Sequence, residues 1–444
     1  MIDVAQREIE RLAGVSAWSL RRECVTSLER FYTGARSRMA RSADTTLLKA
    51  SLFVDSGAGD GRQRSSASCI LHPSLGPAEL RETLERCMAA ASRAPSPWYP
   101  LPGPAPDGGG AWKGGPLLEA DPSRAMAEAA EALLSAQAGE DPRLNSMELF
   151  LSRRSVEIRN SEGVRAAWQN AGLDVEYVAE AGRNGDSVEI FGMASFASVE
   201  AAALRDEASL ALSLARDRLA ALPLKGAEGL PVLLTGSDAV QAWFDYFLWV
   251  TEAMAVYQKR SEAAPGYRFD CGPDGDPLNI AFDPSRPGMP WARPFDDAGT
   301  RLRPLQVISS GEVRNLHGGL RGCHYLGLAE AGSYAAGRLA SMRHAMAEAG
   351  PGSLDEEAAD LPDCLEIAVF SDFQVDNDTG DFGGEIRLAY LRRGGERVPL
   401  TGGSLSGSMR ECLPGMRLSR HMTAAGLMRV PRAVLIRGAR VSPA

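Results

Sequence analysis

Apolar and polar residues alternate over residues 147–152, 155–159, 164–169, 173–179 and 187–194, a period of two that predicts strands with one buried face. Two turn sequences punctuate the run, Asn160-Ser161-Glu162-Gly163 and Arg183-Asn184-Gly185-Asp186, so the strands read as a meander. Before it, residues 45–55 and 65–71 predict two further strands, and residues 4–14 a short helix. Between Trp18 and Met39 the apolar positions fit neither period. A 3.6-residue spacing returns at 77–91, where Leu80, Leu84, Cys87 and Met88 share a face and Ser74 is a possible cap. It recurs at 121–138 behind Asp121-Pro122, and at 198–222, where Ser198 is placed as the cap and Leu204, Ala208, Ala211, Leu212, Ala215 and Leu219 form the stripe.

The composition shifts at 223–229, and the pattern restarts with the apolar run 230–234. Residues 240–257 predict one helix with an unusual aromatic content: Trp243, Phe244, Tyr246, Phe247, Trp249 and Tyr257. Short strands are predicted at 278–282, at 305–308 and 313–316 around Ser309-Ser310-Gly311, and at 432–436; residues 329–348 read as a loosely patterned helix. Residues 365–370, 385–391, 398–400 and 405–407 predict closing strands, with Arg392-Arg393-Gly394-Gly395 as a tight turn. The order gives an α+β fold in two parts. Residues 1–223 form an N-terminal α+β domain, a meander sheet with packed helices. Residues 224–444 form a C-terminal β-rich domain, antiparallel and barrel-like. The Pro- and Gly-dense stretch 95–116 cannot hold a ladder, and its two tryptophans, Trp98 and Trp112, favour an anchored loop over a bare linker.

Charge and composition narrow the function. The 444 residues carry a net charge of -9 and 44% hydrophobic residues, which argues against a nucleic-acid partner and for a globular chain. No apolar run is long enough for a membrane helix, and the N-terminus lacks the pattern of a signal peptide, so a cytoplasmic location is expected. Seven cysteines without a CxxC pair predict reduced, buried thiols.

Direct motif chemistry is sparse. The loop 371–384 holds Asp372, Asp376, Asp378 and Asp381, yet counted from Asp376 it puts Gly380, Asp381 and Arg387 where a calcium loop needs a ligand, a glycine and a carboxylate. A solvated turn is the better reading. His317, Cys323 and His324 share one Gly-rich stretch but are an incomplete zinc set. Neither HExxH nor HExxxH occurs, nor GxSxG, a P-loop or a dinucleotide fingerprint.

Several segments in order resemble the TldD/PmbA family, the "modulator of DNA gyrase" peptidases. They are SVEIRNSEG at 155–163, the long helix 198–222, PVLLTG at 231–236, RPFDDAG at 293–299, LQVISSGEVRNLHGG at 305–319, TGDFGG at 379–384, and GGERVPLTGGSLSG at 394–407. The resemblance spans roughly 145–440. It implies metallopeptidase ancestry, with TldD-type members carrying HExxxH on the helix after the PVLL-like strand. Here that helix, 239–261, contains no histidine, and Asp245 and Glu252 are its carboxylates. The chain therefore resembles the PmbA (TldE) type, the non-catalytic partner of a TldD-type chain in a heterodimer acting on unfolded peptides. No cofactor is expected in this chain, and zinc is expected in the partner. A homodimeric peptide-binding protein of the same fold is the alternative, and a metal site of other composition, from His317, Cys323, His324 or the acidic loop, a third reading.

The resemblance suggests substrate contacts from Asp296, Asp297, Gly299, Ser406 and Gly407. Ala298 and Ser408 replace the family's usual glutamate and asparagine. The aromatic helix suggests an interface at Trp243, Phe244, Phe247 and Trp249, or equally an ordinary core helix. Neither nucleic acid nor membrane is expected as a partner.

Overall fold

The computed structural model describes residues 1–444 except 94, 106–111, 285, 287, 329–346, 359, 360 and 444; of Asp60 and Trp112 only the backbone is described. Among the described residues there are three sheets. The first is built from β1 (Ala17–Thr33), β2 (Arg36–Ser56), β3 (Gln63–Leu71), β4 (Trp112–Gly114), β5 (Arg143–Asn160), β6 (Arg165–Arg183) and β7 (Asp186–Phe196). Its order is β3-β2-β1-β5-β6-β4, with β7 also on β6. The strands predicted at 147–152 and 155–159 are one strand, β5, and those at 164–169 and 173–179 are one strand, β6. The region without a clear period, 18–39, is the β1–β2 hairpin. Its faces are partly covered on both sides, which blurs the alternation that one-sided burial produces.

One face of this sheet carries the helices. Helix α1 (Ile2–Glu10) and helix α2 (Pro77–Ala91) close over Leu20, Leu48, Ala50, Leu52 and Leu71. Helix α3 (Pro122–Leu134) and helix α4 (Ala201–Leu219) close over Met147, Leu149, Leu173, Val175 and Tyr177. Asp121 caps α3, accepting from Arg124 N at 2.7 Å as its sequence predicts. Two caps differ from expectation. Helix α2 starts after Gly76, whose N–H is held by Glu79, while Ser74 bonds His72; and Ser198 bonds Glu200 instead of the α4 backbone.

The second and third sheets contain β8 (Leu222–Pro223), β9 (Val232–Leu234) and the strands after them. The larger, nine-stranded sheet includes Cys364–Val375, Asp381–Arg393, Glu396–Thr401 and Ser404–Ser408, the closing strands that the sequence predicted. The acidic loop is the short turn between the first two. Asp376 Oδ1 accepts from Asp378 N and Thr379 N, Asp378 pairs with Arg260, and Gly380 supplies a φ of +77°. The aspartates stabilise a hairpin. The predicted helix 329–348 lies outside the described residues up to 346; Ala347–Ala349 is a strand of the six-stranded sheet.

The helix predicted at 240–257 is two, α5 (Ser237–Val250) and α6 (Ala253–Tyr257). The N–H and hydroxyl of Thr251 both reach Phe247 O at the end of the first, and Glu252 then turns extended, with ψ 130°, and caps α6 through Ala255 N. Trp243, Phe244 and Phe247 are completely buried in the largest core, against Phe269, Leu365, Ile367 and Phe382. The interface expectation is thereby corrected for these three, since each is covered by the chain's own residues. Trp249 is part-buried, with the Arg260 guanidinium 4.7 Å from its ring centroid.

Two seams join the first sheet to the rest. Trp98 in the Pro-rich loop donates to Asp55, lies under Arg62 and Arg64, and meets His324 edge-on at 5.6 Å. Tyr99 packs against Tyr325. The stretch is an anchored loop at its Trp98 end; the side chain of Trp112 lies outside the described residues. The second seam is the segment 291–300, which lies on the sheet's other face.

Candidate functional site

The segment 293–299, read as a substrate contact, is that second seam. Asp296 is fully buried and accepts from Ala298 N and Thr300 N, so it shapes its own turn. Asp297 pairs with Arg293 at 3.0 Å and faces Arg21 of β1 at 3.6 Å. Gly299 has φ +92°, and a Cβ there would stand 2.7 Å from Val164 Cγ1. Phe295 completes a small core with Val156, Ile158, Val164, Ala166 and Trp168. Asp297, Gly299 and Phe295 thereby join this segment to the N-terminal sheet. Ser406 and Gly407 lie on the strand Ser404–Ser408; Gly407 is bare because a Cβ would meet the Phe382 ring at 2.6 Å. None of these five residues, Asp296, Asp297, Gly299, Ser406 and Gly407, lines the large cleft described next.

That cleft encloses about 1220 Å³ between β7 and α4 on one side and β9, the start of α5 and Cys364–Val375 on the other. Two strand edges border it. β7 pairs only with β6 among the described residues. Cys364–Val375 pairs with β9 only through Leu365–Ile367, so the stretch from Ala368 onward has no ladder partner on that edge among the described residues. Unpaired N–H and C=O groups along such edges can accept an extended chain.

Carboxyl groups populate the walls. On α4, Glu207 Oε2 lies 3.3 Å from the Tyr177 hydroxyl, which donates to it. Burial raises the Glu207 carboxyl above its ordinary range, and the Tyr177 bond only partly offsets this. Asp238, in the first turn of α5, is raised by burial as well. Across the cleft the carboxylates are neutralised instead. Glu366 takes two 3.0 Å bonds from Arg397, with Arg392 at 3.2 Å. Glu356 is buried and accepts from Ser419 and Arg432, each at 2.6 Å. Among the described residues lining the cleft there is no histidine or cysteine. The cleft offers edges, acids whose pKa burial raises, and guanidinium groups; among its described residues it offers no thiolate or imidazole nucleophile.

The proposed alternative metal ligands do not converge. His317 is fully buried, donates from Nε2 to Leu248 O at 2.5 Å and lies against Phe282. Burial pushes the Cys323 thiol up to about 12. His324 meets Trp98 edge-on at the first seam. The grouping of metal-capable side chains found among the described residues is Asp355, Glu356 and His421, and its carboxylates already hold Arg420 and Arg432. Glu207, Asp238 and Glu366 were not singled out from sequence, and Asp372, which also lines the cleft, was read only as part of the acidic loop. They come from separate segments with no shared motif, so nothing local marks them.

Residues 228–443 match the family described as PmbA/TldA metallopeptidase C-terminal domain. No curated protein matches the chain. Its fold is shared with solved structures, among them the following three. TldE from Thermococcus kodakarensis is 15% identical, with a TM-score of 0.78 over 100% of this chain and 99% of that one. A protein from Thermotoga maritima named for modulation of a DNA gyrase is 14% identical, with a TM-score of 0.78 over 100% of both. A Bacteroides thetaiotaomicron protein named likewise is 14% identical, at 0.75 over 100% and 97%. No described helix is long and apolar enough to cross a membrane.

Proposed function

Through residues 228–443 the chain belongs to the PmbA/TldD family, and on that premise we propose that it is a TldE-type subunit, which seats unfolded peptides while a TldD-type partner cleaves them. The observation that carries this is α5. It follows the β9 strand, as the HExxxH helix does in TldD-type members, yet Ser237–Val250 contains no histidine. Its inward face is Trp243, Phe244 and Phe247, sealed in the core. Zinc-hydroxide hydrolysis needs imidazole or carboxylate ligands around an open position, and this face supplies neither.

Peptide seating is supported by the cleft. A free edge recognises main chain in a sequence-tolerant way, which suits unfolded substrates. Zinc belongs, in this reading, to the partner. The test is cleavage of an unfolded, quenched-fluorescent peptide by this chain, by an HExxxH-bearing family chain, and by both together. Strong cleavage by the pair alone supports the reading. Chelator-sensitive cleavage by this chain alone would overturn it.

A further inference from the structure

Among the described residues, the face of the first sheet opposite its helices is covered at one end and open at the other. Along β5 it runs Ile158, Val156, Arg154, Ser152, Phe150, Glu148. Phe295 covers the first two. Trp291 stacks on Arg154, presses on Gly172 and donates to Asp174, which is opposite Phe150. Cover ends there. The next row crosses five strands in register: Met39, Phe31, Glu148, Glu176, Met193. Val178 and Phe191 pair in the row beyond.

Glu148 and Glu176 are directly opposite each other on β5 and β6. Like charges in this position repel and weaken a sheet. Neither has a cation partner among the described residues. Burial and the carboxylates of Glu148 and Asp174 raise the Glu176 carboxyl, the mark of an uncompensated pair. Around it, Met39, Phe191 and Met193 are 47%, 61% and 58% exposed, a concentration of large apolar side chains on one face.

From this row we infer that the open face docks an extended peptide segment of pattern apolar-x-Lys/Arg-x-apolar, the cation seated between Glu148 and Glu176. Charge complementarity selects the occupant, and the spacing fits it. Adjacent strands lie about 4.8 Å apart, so the midpoint of the carboxylate pair is about 7 Å from Phe31 on one side and from Met193 on the other. In an extended chain, alternate residues are about 6.8 Å apart, so positions i, i+2 and i+4 laid across the strands meet Phe31, the acid pair and Met193. The inference deepens the peptide reading above and rests on it, but its test uses this chain without a partner, so that recognition and cleavage are read separately.

The probe is fluorescein-labelled Gly-Leu-Ser-Lys-Ser-Leu-Gly, compared by anisotropy with the same peptide carrying Gln in place of Lys. The Lys peptide is expected to bind roughly tenfold more tightly, the scale of hydrogen bonds to charged groups. That preference is expected to shrink between about 50 mM and about 500 mM salt. The variant E148Q/E176Q is expected to lose the preference while binding the Gln peptide as before. Because it removes a repulsion, it is expected to melt no lower than the parent chain. Equal affinity for the two peptides, no binding of either, or an unchanged preference in E148Q/E176Q would overturn the inference. Cleavage of a neutral peptide by the two-subunit mixture judges the underlying peptide reading independently.

Discussion

Gly299 lies flush against Val164. A Cβ on the glycine would stand 2.7 Å from Val164 Cγ1 and 3.2 Å from Ile158 Cγ2, and its φ of +92° is one that side chains rarely adopt. The contact joins the β5–β6 hairpin to the segment 293–299. Gly299→Ala therefore carries both a steric and a conformational penalty, about 2–4 kcal/mol together. Urea unfolding is expected to show this as a lowered midpoint. An unchanged midpoint would mean that the seam yields without cost.

At the other seam, Asp55 neutralises the buried Arg64 through bonds of 2.7 and 2.9 Å, and also accepts from Arg62 and Trp98. Asp55→Ala leaves a buried guanidinium with Tyr99 O, 2.8 Å away, as its acceptor among the described residues, and is expected to cost about 3 kcal/mol. Burial alone would raise the Asp55 carboxyl, but the bonds from Arg64, Trp98 and Arg62 outweigh it and hold it low. Its contribution is thus present above the unfolded value of about 3.9 and is lost as the pH falls through the lower folded value. Asp55→Asn is expected to flatten the acid limb of the stability–pH curve; an identical limb would contradict this assignment.

Glu207 has the opposite sign. Its folded carboxyl is raised by burial, so its stabilising contribution is full below the unfolded value of about 4.3 and is lost as the pH rises through the folded value. Glu207→Gln keeps an acceptor for the Tyr177 hydroxyl and removes the buried charge. The variant is expected to be more stable than the parent at pH 8, the gap closing toward pH 4. Urea midpoints across that range decide it, and a gap that widens toward acid would be the contrary result.

Much of the fold is legible in the sequence because burial is one-sided where the pattern is clean. The stripe Leu204, Ala208, Ala211, Leu212, Ala215 is the buried face of α4, and Asn184-Gly185 is a turn with φ of 54° and 92°. β1 and the start of β2, residues 18–39, are illegible for the reverse reason: much of this stretch is half-buried or exposed on both faces. Aromatic richness did not separate core from interface on α5, since Trp243, Phe244 and Phe247 satisfy either reading until their neighbours are known. The family-like segment 293–299 suggests substrate contacts, while in the structure Asp296 shapes a local turn and Gly299 makes a close approach that is invisible without Val164. The cleft and the Glu148–Glu176 pair depend on register between strands, which no local pattern encodes.

The central claim is that this chain seats peptide and a metal-bearing partner cuts it. The direct test mixes the purified chain with an HExxxH-bearing family chain and follows hydrolysis of an unfolded peptide with and without chelator. The account predicts chelator-sensitive cleavage by the mixture and none by this chain alone. Chelator-sensitive cleavage by the isolated chain, or a mixture no faster than its metal-bearing member, would contradict it.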